Sequence, residues 1–84
     1  MLDCFITFRS VTFAQRGENE LKRAGVFCSI QRTPRWMEEQ GCGYSIRLRC
    51  QDITAAAGML KHKQIPYRKV YLRGANGELE ETAL

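Results

Sequence analysis

The residues of this chain best suited to covalent chemistry are its four cysteines, Cys4, Cys28, Cys42 and Cys50. A cysteine thiolate can act as a nucleophile, form a disulfide or bind a metal. No two of these cysteines form a C-x-x-C pair, and the single histidine, His62, is far from them in sequence. Because zinc ligands are usually paired through short loops, we expect no metal site, and we expect no cofactor.

Cys42 differs from the other cysteines because it lies between Gly41 and Gly43, in the stretch EEQGCGYSIRLRC. One interpretation is a tight turn, in which the glycines supply positive φ angles and the cysteine is incidental. The other is a reactive thiol, made accessible by the small glycines and favoured as a thiolate by Arg35 and Arg47. The residues alone leave both interpretations open.

Two further side chains are candidate partners of this thiol. Trp36 precedes it in the same loop, where the ring either docks a partner protein or closes the open end of the core. His62 belongs to the segment KHK at the end of a predicted helix, where a basic residue complements the helix dipole. We therefore identify no general base for Cys42.

Composition limits the class of protein. The chain has 84 residues, 44% of them hydrophobic, which suits one small globular domain. No apolar run reaches the roughly 20 residues that span a bilayer, so we expect no membrane insertion. The first residues, MLDCFITF, contain no basic leader or cleavage-like site. We therefore predict a cytoplasmic protein with reduced thiols.

Charge is unevenly distributed along the chain. Residues 74–84 contain three glutamates and no basic residue, which leaves residues 1–73 with 13 basic and six acidic side chains, a formal charge of +7. We predict a single domain over 1–73 and a short acidic tail over 74–84. A basic domain favours acidic partners, such as nucleic acid or small anions, although ordinary solubility explains the charge equally well.

Changes of hydrophobic period predict the elements that would position these residues. Strand patterns cover 4–8, 26–30, 44–50 and 68–73, and helical patterns run from a capping box at Thr12 to Gly25 and over 53–64. Thr33-Pro34 also resembles the start of one helical turn. The order βαββαβ predicts an α+β, ferredoxin-like fold, with a four-stranded antiparallel sheet and two helices on one face. Cys28 and Cys50 then face the core, Cys4 lies in it or at its edge, and Cys42 lies in a loop.

An ordered set of short motifs resembles the Se/S carrier-like family of small proteins. The motifs cover roughly 5–73 and are Phe8-x-Ser10, Ala14, Glu18, Leu21-Lys22-x-Ala24-Gly25, Thr33-Pro34-Arg35 and Cys42-Gly43 before the strand. The resemblance implies that Cys42 carries sulfur or selenium as a persulfide or selenosulfide. Pro34, Arg35, Gly41, Gly43 and Arg47 would support it. It also implies two partners, a desulfurase-like donor enzyme and an acceptor protein. The protein itself would then be a carrier more than a turnover enzyme.

A second hypothesis assigns function to the sheet face that the helices leave open. We expect that face to present aromatic side chains among arginines, namely Phe5, Phe27 and Tyr71 with Arg47, Arg49 and Arg73. Modules of the RRM type bind RNA through such a face, although the chain lacks their aromatic–glycine RNP1 pattern. A solvated face, or one that forms a homodimer or docks another protein, is the other interpretation.

Overall fold

The structure, a computed structural model, describes residues 3–32, 43–73 and 79–82. These residues form an α+β fold, as predicted. Its elements are β1 (Asp3–Phe8), α1 (Val11–Arg23), β2 (Cys28–Arg32), β3 (Tyr44–Arg49), a 3₁₀ turn (Cys50–Asp52), α2 (Ile53–His62), β4 (Val70–Arg73) and β5 (Leu79–Thr82). Within these ranges, neither helix is both long and apolar enough to cross a membrane.

The strands form one antiparallel sheet in the order β2-β3-β1-β4-β5. β1 lies in the middle, where Ile6 is opposite Ile46 of β3 and Val70 of β4. This register places the C-terminal end of β1 beside the N-terminal ends of β3 and β4.

The prediction of a four-stranded sheet was wrong, because β5 adds a fifth strand beside β4. β5 has the sequence LEET, and its two glutamates hide the pattern that identifies a strand. An edge strand tolerates such charges, since they face solvent and discourage pairing with another chain. The predicted turn at Asn76-Gly77 lies outside the described residues. The division into a domain of 1–73 and a tail of 74–84 stays a prediction, although 79–82 join the sheet.

The N-cap of α1 lies two residues before Thr12, where the sequence predicted the capping box. Ser10 is its N-cap, and the Ser10 hydroxyl accepts a hydrogen bond of 3.3 Å from the backbone N–H of Phe13. Serine is among the best N-cap residues because its oxygen satisfies an otherwise unpaired N–H of the first turn. The helix ends before Gly25, whose φ of +88° a side chain would disfavour. The predicted end at Gly25 is therefore confirmed.

The core lies between the two helices and one face of the sheet. Six of the eight positions that alternation and helical spacing predict for it are buried: Ile6, Ile46, Leu48, Ala56, Leu60 and Val70. The other two, Val26 and Ile30, are partly buried and pack against it. Cys4 is also completely buried, which confirms that it belongs to the core.

Gly17 lets α1 sit close to the sheet. A Cβ atom there would lie 3.2 Å from side-chain atoms of Phe8, Ile46 and Leu60. Gly17→Val is therefore expected to lower the free energy of unfolding by about 1–3 kcal/mol through overpacking. Gly58→Ala is the control, because a Cβ atom added to Gly58 of α2 would meet no other part of the described fold within 4 Å. It is expected to raise the free energy of unfolding by about 0.5–1 kcal/mol. Urea denaturation measures both, and equal midpoints would contradict the close approach.

Candidate functional site

Most of the predicted site lies between β2 and β3 in sequence, in residues 33–42, which the structure does not describe. Pro34, Arg35, Trp36, Gly41 and Cys42 all lie outside the described residues. Their predicted roles, and the helical turn expected at Thr33-Pro34, stay predictions. The structure does describe Gly43, Arg47 and the other three cysteines.

Gly43 connects Cys42 with the start of β3, and it is buried. The next residue, Tyr44, pairs with Phe8 of β1 on one side and with Arg32 of β2 on the other. β3 therefore starts between the ends of two neighbouring strands. From Tyr44 onwards, two residues after Cys42, the backbone is held on both sides by the sheet.

Arg47 lies well along β3 from that point. The four-residue separation from Gly43 corresponds to about 13 Å of extended strand. Arg47 is exposed, and it is opposite Phe5 and Ser29. Its predicted action on the Cys42 thiol stays a prediction.

Two other arginines have backbones closer to Gly43, and neither was predicted from the sequence to act on the thiol. Arg32 is directly opposite Tyr44 in the sheet. Arg9 follows Phe8, which is the partner of Tyr44 on the other side. Both side chains are exposed. Only the strand pairing reveals this proximity, so motifs along the chain could not indicate it.

Cys4 and Cys50 form a disulfide, with their Cα atoms 5.1 Å apart. The prediction of reduced thiols was therefore wrong for this pair. Cys4 is opposite Leu48, two residues before Cys50, which starts the 3₁₀ turn at the end of β3. The pairing of β1 with β3 brings the two cysteines together. Cys50 itself is only half-buried and packs against the core from its edge.

Cys28 is a free thiol, but it is buried, with 6% of its surface exposed. Its Sγ donates a long hydrogen bond of 4.0 Å to the backbone carbonyl of Glu18. Burial raises the pKa of Cys28, and the nearby Glu18 carboxylate raises it further, against a smaller opposite effect of Lys22. Cys28 is therefore a poor nucleophile, as its predicted inward position implied.

The open sheet face does not present the expected row of aromatic rings. Phe5 is only 5% exposed, so its ring is not available to stack on a base. Phe27 is 78% exposed, but it precedes β2 and so is not part of the sheet. Tyr71 is half-buried in β4. Arg49 pairs with Asp52, with 3.4 Å between Nε and a carboxylate oxygen.

These positions weaken the second hypothesis at its aromatic residues. RNA-binding sheets depend on neighbouring exposed rings, and Tyr71 alone of the three retains a place on this face with partial exposure. Among the described residues, no group of three or more His, Cys, Asp or Glu side chains is arranged to hold a metal ion.

A comparison with protein families identifies a relationship for most of the chain. The family model described as "Putative Se/S carrier protein-like" matches residues 3–72. Comparisons with curated proteins and with solved structures found no match. The matched range includes β1 to β3, most of β4 and also Cys42.

Proposed function

The chain belongs to the Se/S carrier protein-like family, and from this premise we propose that it carries a sulfur or selenium atom on Cys42. The family match supports the general role of a carrier. The observation that supports Cys42 as the carrying residue is the state of the other three cysteines.

A carrier thiol has to be reduced, accessible and at least partly ionised. Cys4 and Cys50 are bonded to each other, so neither has a free thiol to accept a sulfur atom. Cys28 is buried, and its pKa is raised by burial and by Glu18. By elimination, Cys42 is the cysteine that we propose as the carrier.

The transfer requires only a thiolate. The Cys42 thiolate attacks the outer sulfur of a persulfide on the donor, a bond forms between the two sulfurs, and the donor's own S–S bond breaks. The electron pair of that bond leaves on the donor thiolate. An acceptor nucleophile then attacks the outer atom on Cys42, which leaves as a thiolate again. A selenosulfide follows the same two displacements, and neither step needs an oxidant or a reductant.

Arg9 and Arg32 supply positive charge near the place where Cys42 joins the sheet. A neighbouring cation favours the charged thiolate over the neutral thiol. Because Arg32 is opposite Tyr44, its backbone is closer to that point than the backbone of Arg47. We therefore assign the larger electrostatic contribution to Arg32 and Arg9, and a smaller one to Arg47.

The proposed partners follow from the two displacements. A desulfurase-like enzyme supplies the atom, and an acceptor protein removes it. Cys42 returns to its starting state after each transfer, so the protein acts as a carrier and not as an enzyme with its own substrate turnover. Trp36 is the residue that we propose to dock these partners. Pro34, Arg35 and Gly41 are proposed to set the backbone conformation and the charge around Cys42.

Alkylation under native conditions tests the reactivity that this function needs. Iodoacetamide without reductant is expected to label Cys42 at least about tenfold faster than Cys28, since the thiolate is the reacting form and Cys28 is buried with a raised pKa. Cys4 and Cys50 are expected to stay unlabelled until the disulfide is reduced. Peptide mass mapping over time measures each site.

The control is the reduced and denatured chain, in which all four cysteines should label at similar rates. Equal rates for Cys42 and Cys28 in the native protein would contradict the assignment. So would a native Cys42 that resists the reagent altogether.

A further inference from the structure

One cleft brings together basic and aromatic side chains that are distant in sequence. It has a volume of about 510 Å³ and is lined by Arg9, Phe13, Pro66, Tyr67, Arg68 and Lys69. This volume lies within the range of small-molecule sites, roughly 300–1,000 Å³. Rings beside cations suit a ligand that has both a flat apolar part and a negative charge.

The two walls of the cleft are held in place by backbone hydrogen bonds through Thr7. One wall is the start of α1 with Arg9 and Phe13, and the other is the segment before β4. The Thr7 carbonyl accepts a bond of 2.7 Å from the N–H of Arg68, and the Thr7 N–H donates one of 2.8 Å to the carbonyl of Lys69. The N–H of Lys69 also donates to the Thr7 hydroxyl at 3.0 Å. The cleft is therefore formed before any ligand binds.

The charges of the cleft are only partly neutralised. Lys69 pairs with Glu81 of β5, with 3.4 Å between Nζ and a carboxylate oxygen. The guanidinium groups of Arg9 and Arg68, by contrast, make no ion pair or hydrogen bond with any part of the chain that the structure describes. Two guanidinium groups together match the geometry and charge of a phosphate, which each can bind through two parallel N–H groups.

From this arrangement we infer that the cleft binds a nucleotide. The phosphate lies between Arg9 and Arg68, and the base packs against the rings of Phe13 and Tyr67. A free phosphate ion would fill only a small part of a cleft of about 510 Å³ and has no apolar surface to pack against the two rings. The same chemistry is offered by a free nucleoside monophosphate and by a nucleotide of single-stranded RNA.

This binding needs no thiol, although Arg9 takes part in it and is also one of the cations proposed to favour the Cys42 thiolate. None of the six lining residues is a cysteine. The Cys42→Ser protein is accordingly expected to bind the nucleotide as the parent does. A failure of one proposal is therefore distinguishable from a failure of the other.

Isothermal titration calorimetry with AMP at low ionic strength tests whether the cleft binds a nucleotide. AMP is expected to bind at least tenfold more tightly than adenosine, which lacks the phosphate. It is also expected to bind at least tenfold more tightly than inorganic phosphate, which lacks the base. Arg9→Gln and Arg68→Gln are each expected to weaken AMP binding about tenfold, the usual effect of losing a hydrogen bond to a charged group. Arg68→Gln keeps the backbone N–H that bonds to Thr7, so the fold should survive.

The matched control is Arg23→Gln, which removes the same charge from the last residue of α1, about 20 Å along the helix from its start. It should leave AMP binding unchanged. If pentaadenylate binds more tightly than AMP, and Arg9→Gln and Arg68→Gln both lose this binding, the natural ligand is single-stranded RNA. If only AMP binds, the natural ligand is a free nucleotide. The inference is overturned if adenosine, phosphate and AMP bind equally, or if Arg23→Gln weakens binding as much as Arg9→Gln and Arg68→Gln.

Discussion

Replacing Cys50 with alanine is expected to lower the free energy of unfolding by about 4 kcal/mol. The disulfide joins residues separated by 46 positions, more than half of the chain of 84. A cross-link of that span restricts the unfolded chain, and loop-closure entropy assigns it about 4 kcal/mol. Small domains have total stabilities of only about 5–15 kcal/mol, so this loss is large. Urea denaturation at neutral pH without reductant measures it.

Reductant supplies the control for this prediction. The parent protein should lose a similar free energy when Cys4–Cys50 is reduced, and Cys50→Ala should not respond to reductant. Cys28→Ala should still respond, because Cys28 is not part of the disulfide. If mass analysis shows full reduction of the parent and its unfolding midpoint in urea does not move, the cross-link does not contribute to stability.

The core and the central strands could be predicted because their residues alternate on a strict period. In β3, Ile46 and Leu48 alternate with Ser45 and Arg47, and the two apolar residues are buried as the pattern requires. α1 similarly turns Ala14 and Leu21 to the core. The pattern does not show that Ser45, on the other face of β3, is also buried.

The fifth strand and the disulfide could not be predicted, because both depend on pairing between distant segments. The glutamates of β5 give no apolar alternation, so only its pairing with β4 identifies it as a strand. Cys4 and Cys50 come together through the register of β1 on β3. A register is set by the whole sheet, and a shift of one residue would separate the two cysteines.

The candidate nucleotide cleft could not be predicted for the same reason. Arg9 and Arg68 become neighbours only when Thr7 bonds to the segment before β4, across 62 positions of sequence. The net positive charge of residues 1–73 indicated an anionic partner without locating it. The aromatic hypothesis placed the binding surface on the sheet face instead, where Phe5 is buried.

The family resemblance includes residues with a role in the fold. Glu18 accepts a hydrogen bond of 2.9 Å from the N–H of Ile30 in β2 and pairs with Lys22 at 3.5 Å. β2 is an edge strand, so this carboxylate ties α1 to an edge of the sheet. Residues of the family motifs therefore serve the fold as well as the chemistry. Substitution experiments distinguish the structural role from the chemical role.

Loading of Cys42 with sulfur is the prediction with the largest effect. Incubation with a cysteine desulfurase and cysteine is expected to add one sulfur atom to the parent protein, and reductant should remove it. Cys42→Ser should lose this loading completely, because a hydroxyl cannot form the persulfide. Cys28→Ser should load as the parent does, since Cys28 is buried.

The arginines give a graded test of the same step. Arg32→Ala is expected to slow loading several-fold, because the Arg32 backbone lies opposite Tyr44, close to the point where Cys42 joins the sheet. Arg47→Ala is expected to slow loading less, since Arg47 lies about 10 Å beyond Tyr44 along the strand. Neither variant should prevent loading, because neither side chain is the nucleophile. A larger effect of Arg47→Ala would reverse the assignment of the electrostatic contribution.

Intact-mass spectrometry decides whether Cys42 carries the sulfur atom. The parent and Cys42→Ser proteins are measured side by side after incubation with desulfurase and cysteine. We expect a reductant-sensitive gain of one sulfur atom in the parent and no gain in Cys42→Ser. Equal gain in both proteins, or no gain in the parent while the desulfurase is active, would contradict the assignment of Cys42 as the carrier.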